Sequence, residues 1–463
     1  VTPSEHYGER GRPLQWRDGR VLRGVLLQVV VCIAPAMISV SQGNPWLGAQ
    51  WLFITLFAFM GLNLVVSSAP STLALCVALL PGAMLLRDLL LYNIILVLLV
   101  LAMSGFLRSR NDLTRVFRTP GLAWLLFFAA LYWLSSYAMT GRYFVNLRVI
   151  ELVLAVGALV LLAPYREHLA TALYGMTICL VAIGCALLTY GERLGLVQTA
   201  DFSLGNPISF GVPLTLLLLV LGADRAKWLL LQRRPLLRLL LTTLVGILLL
   251  LSTSRGSWLV AGTVLMILLL DRYDRMFAAA SVGLLSVATV VILQTERGAA
   301  LGEWYERTFS GERTLSQRTS GRSDQWMIYP AVVRDMPVWG FGPGSGPTVY
   351  AHYSARDPRV RLKPGREFAW HSLYQHLTVE TGMIGGILML MFFGYTFRRN
   401  YTLWQSKREI TPLLGTLSFM LIAATVSGMD AISGLFLGFG LAQCTTAEPI
   451  TRTTAGGSFG AGA

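Results

Sequence analysis

Apolar residues fill this chain in long unbroken runs, with little of the alternation or one-face periodicity of soluble elements. The runs fall near 22–41, 46–66, 70–86, 88–107, 121–139, 145–163, 168–190, 208–222, 236–252, 257–270, 276–293, 377–397, 411–427 and 431–444. A perpendicular membrane helix needs about 20 residues, so the shorter runs reduce these to about 12 transmembrane helices, with 14 as the upper count. The expected fold is an all-α polytopic integral membrane protein. The one sizeable polar gap runs from Gln294 to about Trp370. Within it, Ser323–Asp335 has helical spacing of apolar residues, with Trp326 and Ile328 on the apolar side, and Gly340–Pro347 is rich in turn residues. The expected organisation is therefore N-terminal transmembrane helices over 1–293, one large loop subdomain over 294–371, C-terminal transmembrane helices over 372–444 and a Gly/Ser/Ala-rich flexible tail over 445–463.

Composition sharpens this picture. Hydrophobic residues make up 54% of the 463 and charged residues only 13%. Soluble domains carry about 25% charged residues, so too few are present to cover a water-facing surface. A soluble enzyme and a disordered chain are both excluded. The five cysteines lie in or beside apolar runs and the five histidines are scattered, which argues against a disulfide framework or a metal centre. The polar, basic start, Val1–Arg23, reads as a cytoplasmic tail ahead of a first span.

The net charge is +14. Basic clusters at Arg108–Arg118, Arg225–Arg238 and Arg398–Arg408 mark cytoplasmic loops, with even numbers of runs between them. Parity then places Gly141–Asn146, Gly191–Pro207 and the long gap on the opposite, outer side. That gap holds eleven basic and eight acidic residues, against the positive-inside trend. Arginine forks grip phosphate oxygens bidentately and stay charged when desolvated, so an arginine-rich outer cap points to an anionic substrate such as a lipid pyrophosphate. No soluble basic domain exists to bind nucleic acid.

Particular residues carry this chemistry. Arg255, in LLLSTSRGSWLVAG, sits where two apolar runs meet. Arginine there is costly and points to function, with headgroup snorkelling as the structural alternative. Arg322, in SGRSDQW, precedes Ser323, a candidate helix cap; a guanidinium at a helix N-terminus suits an anion. His371, in FAWHSLYQHLTVETGMIGG, stands where the outer loop enters a span; an imidazole there suits general-base work, with interfacial packing as the structural alternative. His376 and Glu380 follow one turn apart and form a candidate pair. Arg148 and Glu151 share a helix face near an outer boundary, either as a self-neutralising pair or with Arg148 facing a polar cavity, aided by Arg142. Asn206–Pro207 is a turn former that could also offer a hydrogen bond to substrate.

The succession GNPISFG, STSRGSWLVAG, GRSDQW, GFGPG and WHSLYQHLTVETGMIGG resembles the O-antigen ligase/polymerase superfamily over about Gly205–Gly386. The shared pattern is an Arg-Gly after a span, a large periplasmic loop, and a His-(Asn/Ser)-x-(Tyr/Phe) block leading to Glu-x-Gly-x-x-Gly. Here the residue after the histidine is Ser372 rather than the usual Asn. The resemblance implies a glycosyltransferase of GT-C type in the bacterial inner membrane, multi-pass, with its active site facing the periplasm. The ligase moves O-antigen polysaccharide from undecaprenyl pyrophosphate to the lipid A–core oligosaccharide, without metal, nucleotide or other cofactor. Polymerases and protein O-oligosaccharyltransferases of the superfamily use the same donor. Carried over, the family histidine falls on His371 as base. Its arginines fall on Arg255 and Arg322 at the diphosphate, where Arg148 is an additional candidate. The competing class is a transporter for a lipid-linked sugar, whose cue of inverted repeats is not visible in the sequence.

Overall fold

The computed structural model describes residues 69–85, 95–103, 119–140, 147–190, 197–198, 203–204, 207–222, 235–271, 275–295, 298–299, 302–303, 305–306, 314–319, 321–361, 364–407, 409–425 and 431–446. The chain divides into two units, Val1–Ser67 and Ser68–Ala463. The first lies outside the described residues, and with it the expected cytoplasmic tail and the runs at 22–41 and 46–66. The tail beyond 446 lies outside them too.

Helices form where the apolar runs stand. They are α1 (Ala69–Leu85), α2 (Pro120–Thr140), α3 (Leu147–Leu162), α4 (Arg166–Tyr190), α5 (Pro207–Gly222), α6 (Pro235–Leu251), α7 (Arg255–Leu270), α8 (Arg275–Leu293), α12 (Leu373–Lys407), α13 (Thr411–Thr425) and α14 (Ala431–Thr446). The polar gap supplies the short α9 (Leu315–Arg318) and the cap helices α10 (Arg322–Asp335) and α11 (Gly346–Ser354). One exception to the all-helical expectation is a two-residue antiparallel pairing, Val197–Gln198 with Ser203–Leu204, in the segment expected as an outer loop. It gives backbone groups of that connection partners that an open loop would leave to water.

Two described helices, α8 and α12, are long and apolar enough to cross a membrane, and eight shorter apolar helices of 10–17 residues accompany them. The α8 helix is the most telling. Only 11% of its most apolar window is buried, and Met276, Val287, Val290 and Val291 point outward. So apolar a surface needs an apolar surrounding, and lipid supplies one.

Packing couples helices distant in sequence. The pairs α3 with α14 and α1 with α4 make the most extensive contacts, and α5, α6, α7, α8 and α13 form a second set of neighbours. Buried polar side chains join them. Asn400 Nδ2 lies 3.1 Å from Pro412 O, 2.7 Å from Thr416 Oγ1 and 3.0 Å from Gly440 O, tying α12 to α13 and α14. Arg238, expected only as a cytoplasmic charge, donates to Leu221 O and Gly222 O, both at 2.6 Å. It thereby satisfies the open carbonyls at the C-terminus of α5, where a cation is also favoured by the helix dipole.

The expected span over 377–397 is part of a longer helix that breaks at Gly382 (φ 69°, ψ −168°). A loop of the cap fills the break. Phe341 N–H donates to Val379 O at 2.9 Å, and Gly342 N–H to Glu380 O at 3.1 Å. Two glycines make the approach possible. A Cβ on Gly382 would collide with Val338 O and Gly340 N, and one on Gly340 would collide with Gly382 N and the Glu380 carbonyl. Both residues also have positive φ, which an L side chain rarely adopts. The cap core, formed by Ile328, Val332, Tyr350 and Trp370, includes Val379 of α12, so cap and broken helix share one apolar cluster.

Candidate active site

The site begins at the turn between α6 and α7. Their apolar runs are separated by Ser252–Ser254, and Thr253 takes φ 54°, a left-handed conformation that is strained for a β-branched residue. Ser252 Oγ donates to Leu249 O at 2.6 Å, and Trp258 Nε1 donates to the same carbonyl at 2.8 Å. The Ser254 hydroxyl bonds to Ser257 Oγ at 2.8 Å and caps no backbone N–H. Helix α5 closes on this turn through Gly211, whose Cβ would sit 2.6 Å from both Ser254 Cβ and Ser257 Oγ. The second glycine of the GNPISFG motif thus has a packing reason. The outcome is Arg255 at the first position of α7, half-buried, beside a helix N-terminus.

The second piece is the start of α10. Gly321 (φ 81°) precedes it and Arg322 is its first residue. Ser323, expected as the cap, lies inside the first turn. The capping oxygen is Thr319 Oγ1, which accepts the Ser323 N–H at 3.1 Å, because the chain enters the helix through the α9 turn. Asp324 is fully buried and accepts from Ser316 Oγ (2.7 Å) and Arg361 N–H (3.0 Å), binding the far loop to this end of the helix. Trp326, expected on the apolar side, is 57% exposed. The core-facing positions are Ile328 and Val332.

The structure brings Arg255 and Arg322 together. Burial lowers the pKa of Arg322, and the positive charge of Arg255 lowers it further. Arg322 Nε is buried and has no hydrogen-bond partner among the described residues. Each of these arginines opens its helix, so the two N-termini lie within electrostatic reach of each other. Such a place attracts an anion through backbone N–H groups, dipoles and guanidinium forks together.

His371 is held nearby by α10. The buried Gln325, three residues after Arg322, accepts the His371 N–H at 3.0 Å and donates to Ala369 O at 2.8 Å. The half-buried His371 ring lies edge-on to Phe368 at 4.9 Å. Between these two bonds, Trp370 is fully buried and donates Nε1–H to Gly346 O at 2.9 Å. The His376–Glu380 pair forms as expected, Nε2 to Oε1 at 3.4 Å. Glu380 is fully buried at the helix break. It also accepts Tyr132 OH at 2.6 Å and Gly346 N–H at 3.4 Å. Sequence reading missed Gln325, which carries no charge. Its only signal was a polar Ser-Asp-Gln run opening an otherwise apolar-faced helix.

Other sequence candidates fall elsewhere. Arg148 lies in the first turn of α3, and its side chain is outside the described residues, as is Asn206. Of the cap arginines, Arg334, Arg356 and Arg359 line a separate polar groove on the other flank of α10 with Asp335, Tyr353 and Asp357. An apolar slot between the helices is lined by Trp124, Phe128, Leu152, Phe393 and, on the turns of α12 that follow His371, Leu373 and Leu377. Among the described residues no group of three or more His, Cys, Asp or Glu side chains could hold a metal ion.

Residues 238–390 match the family model described as O-antigen ligase. The matched stretch, about a third of the chain, is what is similar to that family. The match begins at α6 and ends within α12, so Arg255, Arg322, His371 and the Gly382 break all fall inside the matched residues. No curated protein matches the chain.

Proposed function

We propose that this protein is a GT-C type glycosyltransferase of the bacterial inner membrane. In this reading it transfers O-antigen polysaccharide from undecaprenyl pyrophosphate to the lipid A–core oligosaccharide at the periplasmic face. The observation that carries it is the approach of Arg255 to Arg322, whose buried Nε has no hydrogen-bond partner among the described residues, beside a strapped histidine whose chain leads into an apolar slot. An amphiphile with a diphosphate head and a long apolar tail fits that combination.

In the proposed mechanism, Arg255 and Arg322 bind the donor diphosphate, with Arg148 as a further candidate. The acceptor hydroxyl gives its proton to His371 while its oxygen bonds to the anomeric carbon. The bond from that carbon to the phosphate oxygen breaks, and the electron pair leaves with the diphosphate. A single displacement of this kind inverts the anomeric centre. The arginines stabilise the charge that grows on the leaving group; loss of one such group costs about 3 kcal/mol in other enzymes.

Purified protein mixed with undecaprenyl-pyrophosphate glycan and lipid A–core tests this reading. The expected product is glycan-bearing lipid A–core, absent with His371→Ala. Longer chains on undecaprenyl pyrophosphate would instead assign a polymerase. No product on either acceptor would overturn the transferase reading in favour of a lipid-linked sugar transporter.

A further inference from the structure

The segment Ala369-Trp370-His371 is fixed from two sides, and the two fixings differ in what they touch. Trp370 is a core residue, with its ring packed edge-on against Tyr329 (5.9 Å) and Tyr350 (6.0 Å) and its N–H on Gly346 O. Gln325 works otherwise. Its side-chain amide pairs with the backbone on both sides of Trp370, as a peptide group of a neighbouring strand would. It is fully buried, so neither bond competes with water. Three residues separate it from Arg322, so both side chains lie toward one side of a single helical turn. One rigid turn therefore carries the arginine of the anion site and the clamp on the histidine backbone.

We propose that Gln325 is a positioning residue that sets His371 relative to Arg322, and through it the acceptor hydroxyl relative to the donor phosphate. This rests on the reading of His371 as the base. Gln325 touches no substrate in this account; it acts through the histidine. Misplacing a reacting group by about 1 Å can cost on the order of 100-fold in rate, while leaving ground-state binding of the donor to the arginines intact.

Gln325→Met keeps length and volume and removes both hydrogen bonds. The expected result is a kcat lower by about 10- to 100-fold with the donor KM within about 2-fold. Wild-type kcat, or equal losses in kcat and donor binding, would overturn the proposal. Gln325→Glu serves as a second variant should the first fold poorly. Its protonated carboxyl reproduces both bonds, donating to Ala369 O and accepting from His371 N–H, whereas the carboxylate cannot donate. The kcat of this variant relative to wild type therefore rises as pH falls, and a flat ratio would contradict the strap. Amide exchange at His371 gives a readout independent of turnover, and it should be faster in Gln325→Met. If the wild type transfers nothing, the transferase reading fails, and this exchange rate still decides whether the strap exists.

Discussion

Arg322 and the arginines on the solvent side of the cap make opposite use of the same side chain. Arg359 grips Asp357 through two bonds, Nε to Oδ1 at 2.9 Å and Nη2 to Oδ2 at 2.7 Å, and Arg334 lies 3.2 Å from Asp335. These pairs sit in solvent and are internally balanced. Arg322 faces another cation and keeps a buried Nε unsatisfied among the described residues. A base whose pKa is lowered in the folded state contributes a cost at neutral pH, because the unfolded chain would carry that charge more easily. The balanced set has little electrostatic need of a ligand. Arg322 carries a partly buried positive charge that a bound anion would relieve. A count of cap arginines could not separate the two, since the distinction lies in who faces whom.

The largest expected effect falls on His371, the residue proposed to take the acceptor proton. His371→Ala should lower transfer by 10²- to 10⁴-fold, the usual span for a general base, roughly, with the protein still folded and membrane-inserted; single-turnover assays check this. Arg322→Lys comes next. It keeps the charge and loses the fork, so kcat/KM should fall by about 10²-fold. An unchanged value would erase the contrast between the two arginine groups.

The scaffold beneath the site predicts smaller, structural effects. Gly382→Ala forces a Cβ into Val338 O at a positive φ, which should destabilise the protein by at least about 2 kcal/mol and uncouple the cap, read by thermal unfolding together with activity. Tyr132→Phe removes one hydrogen bond from the buried Glu380 and should cost about 1–2 kcal/mol of stability. The smallest effect belongs to the exposed arginines. Side-chain bonds from Arg359, then its backbone N–H, hold the Asp357 carboxyl down to about 2. A depressed acid stabilises above the ordinary carboxyl range near pH 4 and loses that contribution as pH falls toward 2, roughly. Arg359→Gln should therefore weaken stability slightly at neutral pH, converge with wild type in acid, and leave transfer unchanged. The pair is solvent-screened, so the stability difference is small.

Much of this was legible in the sequence because apolar run length is a strong signal. The runs at 121–139, 208–222 and 276–293 became α2, α5 and α8 with ends shifted by a residue or so. Arg255 and His371 stood out as candidates because a polar group at an apolar boundary is conspicuous, and Arg322 because it precedes a helix start. The break at Gly382 was not, because the apolar run continues through it and only the distant GFGPG loop explains the second glycine. Gln325 was hidden for a related reason: its partners are backbone atoms 44 and 46 residues away. Trp326 was misassigned because apolar spacing alone does not say which side of a cap helix meets the core.

The most direct test of the central claim is binding of undecaprenyl pyrophosphate to purified wild type, Arg322→Gln and Arg359→Gln proteins at one fixed salt concentration. The account predicts that wild type and Arg359→Gln bind alike, while Arg322→Gln binds at least about 10-fold more weakly, as loss of a charge-assisted, partly buried contact requires. Equal binding by wild type and Arg322→Gln, or an equal loss in both variants, would contradict it.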